Sequence, residues 1–429
     1  MDKVLGAIAQ LGEIKVRNDD DFTDRVNRKY TVFFLLLFAM LVSTKQYVGE
    51  PINCWVPAIF TQNHEEYANK VCWVSNTYFL PINDDIPKKI DQKEIIGYYQ
   101  WIPLILLSQA CLFFVPCCIW RVLSHRSGIN INTLLEAANT CQRASLLDNR
   151  TRTLMYMINH LDGYLGIKPN DGRGCASRIL RSISKRSFIL ASRSYGKYIT
   201  CVYIFVKLLY ILNSVGQLFL LNIYLNTDYH MHGIEIIKAL LEGREWRSEK
   251  RFPRVTFCNF EIKTLGNVQR YTVQCVLPIN LFNEKIYIII WFWFILVTIL
   301  SFVSLSSWMF EIISVKVQNR YVNRQLSAVG VLTRDHQINI KKFCKFYLKT
   351  DGIFIIRLVA KNAGDLIAAE ILSGLWSIYA RENNIYDSRD KHKCRNANYG
   401  VFSSNGYTSF SHHQHCPNYN ITPKNLMPN

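Results

Sequence analysis

The sequence lacks the short motifs that mark the commonest enzyme sites. It has no phosphate-binding glycine loop, no His-Glu-x-x-His zinc motif, no Gly-x-Ser-x-Gly nucleophile elbow and no Cys-x-x-Cys pair. An acyltransferase with an Asp-His-His-Cys centre does not fit either, because the nearest stretch, His412 to Cys416, has no aspartate and lies near the C-terminus. These absences predict a protein that is not an enzyme and that needs no cofactor.

The same C-terminal stretch also lacks the spacing of a structural metal site. Imidazole and thiolate are usual zinc ligands, but no second ligand pair accompanies His412 to Cys416. We interpret residues 376–429, which are rich in Asn, Ser and His, as a disordered tail. The glycosylation sequon at Asn420 falls in this tail and is interpreted as a chance match.

Acidic residues are scarce relative to basic ones. The 429 residues include 50 Lys and Arg but 32 Asp and Glu, for a net charge of +18. Such a balance is compatible with nucleic-acid binding or with a membrane surface, so the position of the charges decides between these partners.

Long apolar runs, in contrast, are plentiful, and 49% of all residues are hydrophobic. Four runs approach the roughly 20 residues that a bilayer-spanning helix needs. The predicted spans are residues 30–48, 101–122, 198–224 and 284–307. No small-residue cleavage site follows the first run, which is therefore interpreted as a signal anchor.

The basic residues concentrate on one side of this predicted topology. Residues 123–197 hold 12 Lys and Arg against 4 acids, and residues 309–429 hold 16 against 8. The other two loops, 49–100 and 225–283, are close to neutral. Positive charge near helix ends marks the cytoplasmic side, so both termini are predicted to be cytoplasmic. Attraction to anionic inner-leaflet lipid accounts for the basic excess, and no nucleic-acid partner is expected.

The 13 cysteines sort by side in the same way. Each outward loop holds two, Cys54 and Cys72 in the first and Cys258 and Cys275 in the second. Four oxidised cysteines allow three pairings. The two cysteines are similarly spaced in both loops, which favours disulfides between the loops. The alternative is one disulfide within each loop. The other nine cysteines are expected to stay reduced.

Polar residues inside the predicted spans raise separate questions. Lys207, Tyr210, Ser214 and Gln217 share one helix face in the third span, which could turn toward a neighbouring helix or a lumen. Alternatively, Lys207 snorkels to the inner interface. In the fourth span a hydroxyl recurs every third residue from Thr298, a pattern typical of close helix packing.

Two prolines lie in the second span. Pro103 occupies the first turn, where a missing N–H has little effect, whereas Pro116 lies inside the helix and is predicted to kink it. At the N-terminus, apolar residues from Val4 to Leu11 follow a helical stripe, which predicts a short amphipathic helix on a membrane or in a vestibule.

The second span opens on Tyr98, Tyr99, Gln100 and Trp101, with Pro103 close behind. Aromatic residues with polar tips are enriched where membrane helices meet water. Together with the two cysteines in each outward loop, this stretch resembles the signature of the innexin family of invertebrate gap-junction proteins. Stretches similar to that family also occur at residues 49–57, 76–81, 252–260, 275–280, 283–286 and 351–365. Asn259 departs from the family's usual aspartate.

The resemblance implies an all-α polytopic membrane protein. Each subunit would have four transmembrane helices, a small disulfide-linked α+β extracellular cap and a helical cytoplasmic domain at residues 308–375. It would assemble as a homo-oligomer, an octameric hemichannel, or together with other innexins. Two hemichannels would dock at plasma-membrane gap junctions and pass ions and small metabolites between cells.

The resemblance also implies roles for individual residues. The innexin disulfides join the two loops in antiparallel fashion, which implies the pairs Cys54–Cys275 and Cys72–Cys258. Residues 1–29 would form a cytoplasmic pore-funnel segment. Implied pore-lining residues are Met1, Asp2, Lys3, Val4 and Lys45. The Tyr98 to Trp101 stretch is expected to pack the top of the second span against the cap.

Two other functions remain open from the sequence. A pannexin-like hemichannel that does not dock shares the four spans and paired cysteines, but the outward loops carry no glycosylation sequon that would hinder docking. A non-channel adhesion or scaffold protein of the claudin type is shorter and pairs cysteines in its first loop only.

Overall fold

The computed structural model describes residues 20–80, 94–143, 147–166, 196–225, 229–243, 251–264, 266–330 and 337–383. Four of its helices are long and apolar enough to cross a membrane. They are α1 (Phe22–Tyr47), α3 (Ile102–His125), α6 (Tyr198–Leu225) and α8 (Pro278–Ile313). The predicted four-span, mainly helical fold is therefore confirmed. The helices α1 and α8 begin several residues before the predicted spans, because helical hydrogen bonding continues past the apolar core of each segment.

Helix α1 buries one narrow face. Leu35, Ala39, Val42 and Gln46 recur every three or four residues and are buried, mainly against α3. The bulky side chains on the opposite face, including Phe33 and Met40, are exposed in the single subunit. Lipid or a second subunit would cover such a face in the membrane.

The chain forms two compact units, of which the first combines residues 20–126 with 201–310. Outside the spans, this unit contains a five-stranded antiparallel sheet and two helices. The strands are β1 (Asn53–Trp55), β2 (Thr77–Phe79), β3 (Glu94–Ile96), β4 (Val255–Thr264) and β5 (Asn267–Val276). The helices are α2 (Gln62–Val74) and α7 (His232–Leu241). We call these seven elements the cap.

The strand order in the cap is β1-β5-β4-β2-β3, so strands from the first loop flank the two strands of the second loop in one sheet. Strands β4 and β5, each of ten residues, form a hairpin whose last paired residues are Thr264 and Asn267. Gly266 in the turn has a φ of 85°, a left-handed conformation that glycine adopts without a Cβ clash. The long hairpin forms the centre of the sheet, and the short strands of the first loop pair with both of its edges.

The second unit comprises the described parts of residues 127–200 and 311–429. Its helices are α4 (Ile131–Arg143), α5 (Leu147–Leu165), α9 (Val315–Ala328), α10 (Gln337–Lys342), α11 (Lys349–Ala363) and α12 (Asp365–Glu382). A π-helical segment, Phe343–Leu348, joins α10 to α11.

Phe343, Trp376 and Tyr379 pack ring against ring in the core of the second unit. Helix α12 continues past the predicted boundary at residue 375, because Trp376 and Ala380 are buried.

A buried carboxylate in this unit caps the first turn of α6. Asp351, on α11, accepts hydrogen bonds from the Thr200 backbone N–H at 3.0 Å and from the Thr200 hydroxyl at 2.7 Å. Its other oxygen accepts from the Ile199 N–H and the Tyr164 hydroxyl. Burial raises the pKa of Asp351, and the bonds from Thr200 act in the opposite direction. The α6 N-terminus thus obtains its cap from a carboxylate that lies 151 residues after Thr200 in the chain.

We expect Asp351→Ala to loosen the start of α6 selectively. The substitution leaves two helix N–H groups without their acceptor, which costs about 1–3 kcal/mol. Hydrogen exchange of residues 196–203 should accelerate, while Asp351→Asn, which keeps one acceptor oxygen, should show a smaller effect. Equal exchange in the alanine variant and the parent would contradict the assignment.

Candidate functional site

Two disulfides join the two loops that build the cap. Cys54 on β1 bonds to Cys275 on β5, and Cys72 on α2 bonds to Cys258 on β4. These are the pairs that the family resemblance implies, and the disulfide-linked cap is confirmed. Among the described residues, the one cluster with metal-ligand spacing consists of Cys54, Cys72 and Cys275. Their sulfurs are consumed in disulfides, so this cluster is not a metal site.

The residues that open the second span connect it to the cap. The Tyr98 hydroxyl donates to the Arg251 carbonyl oxygen at 2.8 Å, and its ring packs edge-on against Phe252. Tyr99 is fully buried, with its ring centroid 4.9 Å from that of Trp73 on α2. The Gln100 side chain donates to the Trp73 carbonyl oxygen. These three residues therefore tie the top of α3 to both loops of the cap.

Trp101 differs from its three neighbours. Its side chain is 60% exposed in the single subunit, so the expected packing against the cap does not extend to it. Its position at the helix entrance, as the residue before Ile102, matches an aromatic side chain at a membrane interface. Pro103 lies in the first turn of α3, and Pro116 is buried inside the same helix.

The proposed pore-lining residues are only partly described. Met1, Asp2, Lys3 and Val4 lie outside the described residues. Lys45 is half-buried near the end of α1, with its Nζ 5.5 Å from the centroid of the Phe282 ring. That distance corresponds to a cation–π contact.

The most unusual polar group in the spans is Lys207, which is 1% exposed. Its Nζ lies 2.9 Å from Asp24 Oδ1 and 3.7 Å from Asp21 Oδ2, and donates to the Ser304 hydroxyl at 2.8 Å. The Tyr203 ring centroid is 5.3 Å away. Lys207 therefore does not snorkel; it faces neighbouring helices, and its charge is balanced within the protein.

The acids opposite Lys207 belong to the first turn of α1. Asp21 is the N-cap, and Asp24, three residues later, completes a capping box with it. The Tyr203 hydroxyl donates to Asp24 at 2.9 Å, and the Trp308 indole N–H donates to Asp21 at 3.1 Å. We call Asp21, Asp24, Tyr203, Lys207, Ser304 and Trp308 the Lys207 cluster. It connects the start of α1 to both α6 and α8.

A second buried ion pair lies beside this cluster. Arg28 on α1 is 7% exposed, and its Nη2 lies 2.7 Å from Asp20 Oδ2. The preceding residue, Asn27, donates to the Ser301 hydroxyl at 2.9 Å. The Asp20–Arg28 ion pair and the hydrogen bond from Asn27 to Ser301 on α8 thereby fix residues 20–28 in place.

Three hydroxyl groups of the fourth span, spaced three residues apart, contact other helices. Thr298 and the buried Ser214 have their oxygens 2.7 Å apart, Ser301 accepts from Asn27, and Ser304 accepts from Lys207. This agrees with the interpretation of the hydroxyl pattern as helix packing. The partners of Ser301 and Ser304 come from two different helices, which sequence spacing does not reveal.

A buried histidine lies in the cap. His232, at the start of α7, stacks on the Tyr229 ring, and its Nδ1 is 2.9 Å from an Arg251 guanidinium nitrogen. The same guanidinium pairs with Glu235 at 2.5 and 3.0 Å. Burial, and secondarily the Arg251 charge, lowers the pKa of His232 to about 4, although Glu235 acts in the opposite direction. The imidazole is therefore neutral at pH 7.

We expect the cap to lose stability as the pH falls from about 6.5 to about 4. The unfolded histidine, with its ordinary pKa near 6.5, takes up a proton before the folded one, so acid favours unfolding in this window. The part of the unfolding free energy that depends on neutral His232 is fully present above pH 6.5 and lost below pH 4. It amounts to about 3 kcal/mol at most. Thermal unfolding at pH 7.5 and 4.5 would measure it, and a His232→Gln variant should show a weaker pH dependence. An unchanged pH dependence would contradict the role of His232.

The acidic partners of Lys207 were not predicted from the sequence. The signal was present as Asp19-Asp20-Asp21 and Asp24, an acidic group ahead of the first span in an otherwise basic region. A buried lysine requires a counter-charge, so an acid group at the same predicted depth was the available clue. The charge counts covered the loops and the segment after the fourth span, so these N-terminal acids were not counted.

The chain matches known proteins over most of its length. The model of the Innexin family matches residues 20–379. The chain is similar to Innexin unc-9 of Caenorhabditis elegans, with 41% identity over 380 residues, covering 87% of this chain and 96% of the relative. It is 33% identical to Innexin-19 of Caenorhabditis briggsae, covering 87% and 89% of the two chains. Innexin eat-5 of Caenorhabditis elegans is 32% identical over 85% of this chain and 88% of its own length.

Proposed function

This chain belongs to the innexin family, and from that premise we infer that it is a subunit of a gap-junction channel in the plasma membrane. Such a channel passes ions and small metabolites between adjacent cells. The observation that carries the inference is the family match, which spans all four membrane helices and both loops of the cap. The channel is oligomeric, because one four-helix subunit does not enclose a pore.

We propose that eight subunits form a hemichannel and that two hemichannels dock through their caps. Two disulfides between loops hold the cap in one shape, which lowers the entropy that docking would otherwise cost. The cap loops are close to neutral overall, so docking would depend on backbone and polar contacts more than on charge attraction. The basic segments 123–197 and 309–429 support cytoplasmic placement of both termini.

In this proposal residues 1–29 lead into the pore, with Met1 to Val4 at its narrow cytoplasmic mouth. The Lys207 cluster supports this placement, because it fixes the point where residues 1–29 join the membrane-spanning helices. Lys45 would lie at the outer part of the pore, where one lysine from every subunit would repel cations. A Lys45→Cys variant should lose current on addition of a pore-permeant thiol reagent. Current that is insensitive to the reagent would remove Lys45 from the pore.

The function is tested by expressing the chain in two apposed cells and recording transjunctional current. We expect current in pairs that both express the chain and none when neither does. Current across the membrane of single cells without coupling in pairs would instead favour an undocked, pannexin-like hemichannel. Pairs should also be made with other innexins, since a subunit that requires a different innexin conducts only in mixed channels. Absence of current in every combination would favour an adhesion or scaffold role.

A further inference from the structure

Two neighbouring helices after the fourth span carry an exposed positive surface. Helix α9 begins at Val315, two residues after α8 ends, and α10 with its π-helical continuation packs against it. The exposed cations are Lys316, Arg320, Arg324, Lys341, Lys342 and Lys345. Neither segment, Val315–Ala328 or Gln337–Lys342 with its continuation to Leu348, contains an aspartate or a glutamate. We call these six side chains the basic surface.

Helical spacing puts the cations of each segment on one face. Those of α9 recur at every fourth residue, and those of the second segment lie within one turn of each other. Because no acid shares either segment, the repulsion among these cations is not balanced locally. Electrostatic stabilisation of such a face is greatest when it binds a partner that carries many negative charges.

Two large apolar side chains are exposed on the same face as the lysines. Ile338 is 70% exposed and Phe346 is 66% exposed, and they lie eight residues apart on either side of the three lysines. The Lys345 Nζ is 5.4 Å from the centroid of the Phe346 ring. Exposed apolar residues interleaved with lysines are typical of helices that lie in the head-group region of a membrane.

We propose that the basic surface binds anionic head groups in the leaflet next to the end of the fourth span. The bilayer is the negatively charged surface that this chain always has beside it, and the first cation of the basic surface, Lys316, lies three residues after the end of a spanning helix. A second copy docking by two-fold symmetry would present the same positive face and be repelled. Lipid binding by this surface does not depend on the cytoplasmic placement proposed above. That placement only identifies the leaflet as the inner one.

The test uses the full chain in lipid nanodiscs and needs no current. Hydrogen exchange of residues 315–328 and 337–348 is compared in phosphatidylcholine and in phosphatidylcholine with added phosphatidylserine. We expect exchange to be about tenfold slower with the anionic lipid and the difference to shrink at high salt. Replacing Lys341, Lys342 and Lys345 by glutamine should abolish the difference for the second segment. The matched control replaces three exposed cations on other helices of the same unit, Arg152, Lys361 and Arg381, and should preserve it.

A second variant, Ile338→Ser with Phe346→Ser, tests the apolar contribution and should reduce the protection while keeping the charge. Exchange that does not depend on lipid charge would overturn the proposal. Protection that is present in both lipids and disappears when the oligomer dissociates would also overturn it, and would assign the surface to contacts between copies. Because neither result depends on conduction, failure here is distinguishable from failure of the channel function.

Discussion

Lys207→Met is expected to prevent assembly of a stable channel subunit. Methionine fits the volume of the lysine stem, but it leaves Asp24, which is 3% exposed, and Asp21 without the cation that balances them. Breaking a buried ion pair by removing one partner costs about 3–5 kcal/mol, which is a large part of the stability of a typical domain. The loss should appear as a lower unfolding temperature and as aggregation in size-exclusion chromatography of the full chain.

Companion variants separate charge from shape at the same position. Lys207→Arg keeps the cation and should retain assembly, though with altered geometry. Lys207→Met combined with Asp24→Asn removes one charge of each sign and should recover part of the loss, because the remaining acid, Asp21, is less buried. A Lys207→Met protein with unchanged thermal stability and assembly would show that the cluster contributes little.

Removing the Cys72–Cys258 disulfide is expected to abolish coupling between cells. This bridge holds α2 to β4 across a separation of 186 residues, and in the chain-entropy account such a bridge contributes about 5 kcal/mol. Cys54 and Cys275 lie on strands that are already hydrogen-bonded, so their bridge is supported by the sheet, whereas α2 depends more on its disulfide. Cys72→Ala with Cys258→Ala should therefore disorder α2 and, through Trp73, the start of α3.

The measurement is transjunctional conductance in paired cells, with surface biotinylation to count the subunits that reach the membrane. The matched control removes two free thiols of the spans, Cys111→Ala with Cys118→Ala, and should couple normally. Normal conductance in the Cys72→Ala, Cys258→Ala pair would show that the second bridge is dispensable for the shape of the cap.

The four spans and the loop pattern were predictable because each depends on local properties. An apolar run near the length of a bilayer indicates a membrane-spanning helix whatever segments flank it. The Tyr98 to Trp101 stretch and the loop cysteines carried the family resemblance without any three-dimensional information. The end of α12 was not predictable in this way, because burial of Trp376 in a tertiary core extends that helix beyond the point where its composition changes.

By itself, the sequence determined a four-span, disulfide-linked membrane protein of the innexin type. Composition and spacing suffice for that because hydrophobic length and cysteine position act residue by residue along the chain. Only the tertiary structure decided which groups meet: Lys207 with Asp24, Asp351 with the start of α6, and Tyr98 with the second loop. Each pair is separated by more than 150 residues, and burying a charge or a hydroxyl is favourable only where its partner is already in place.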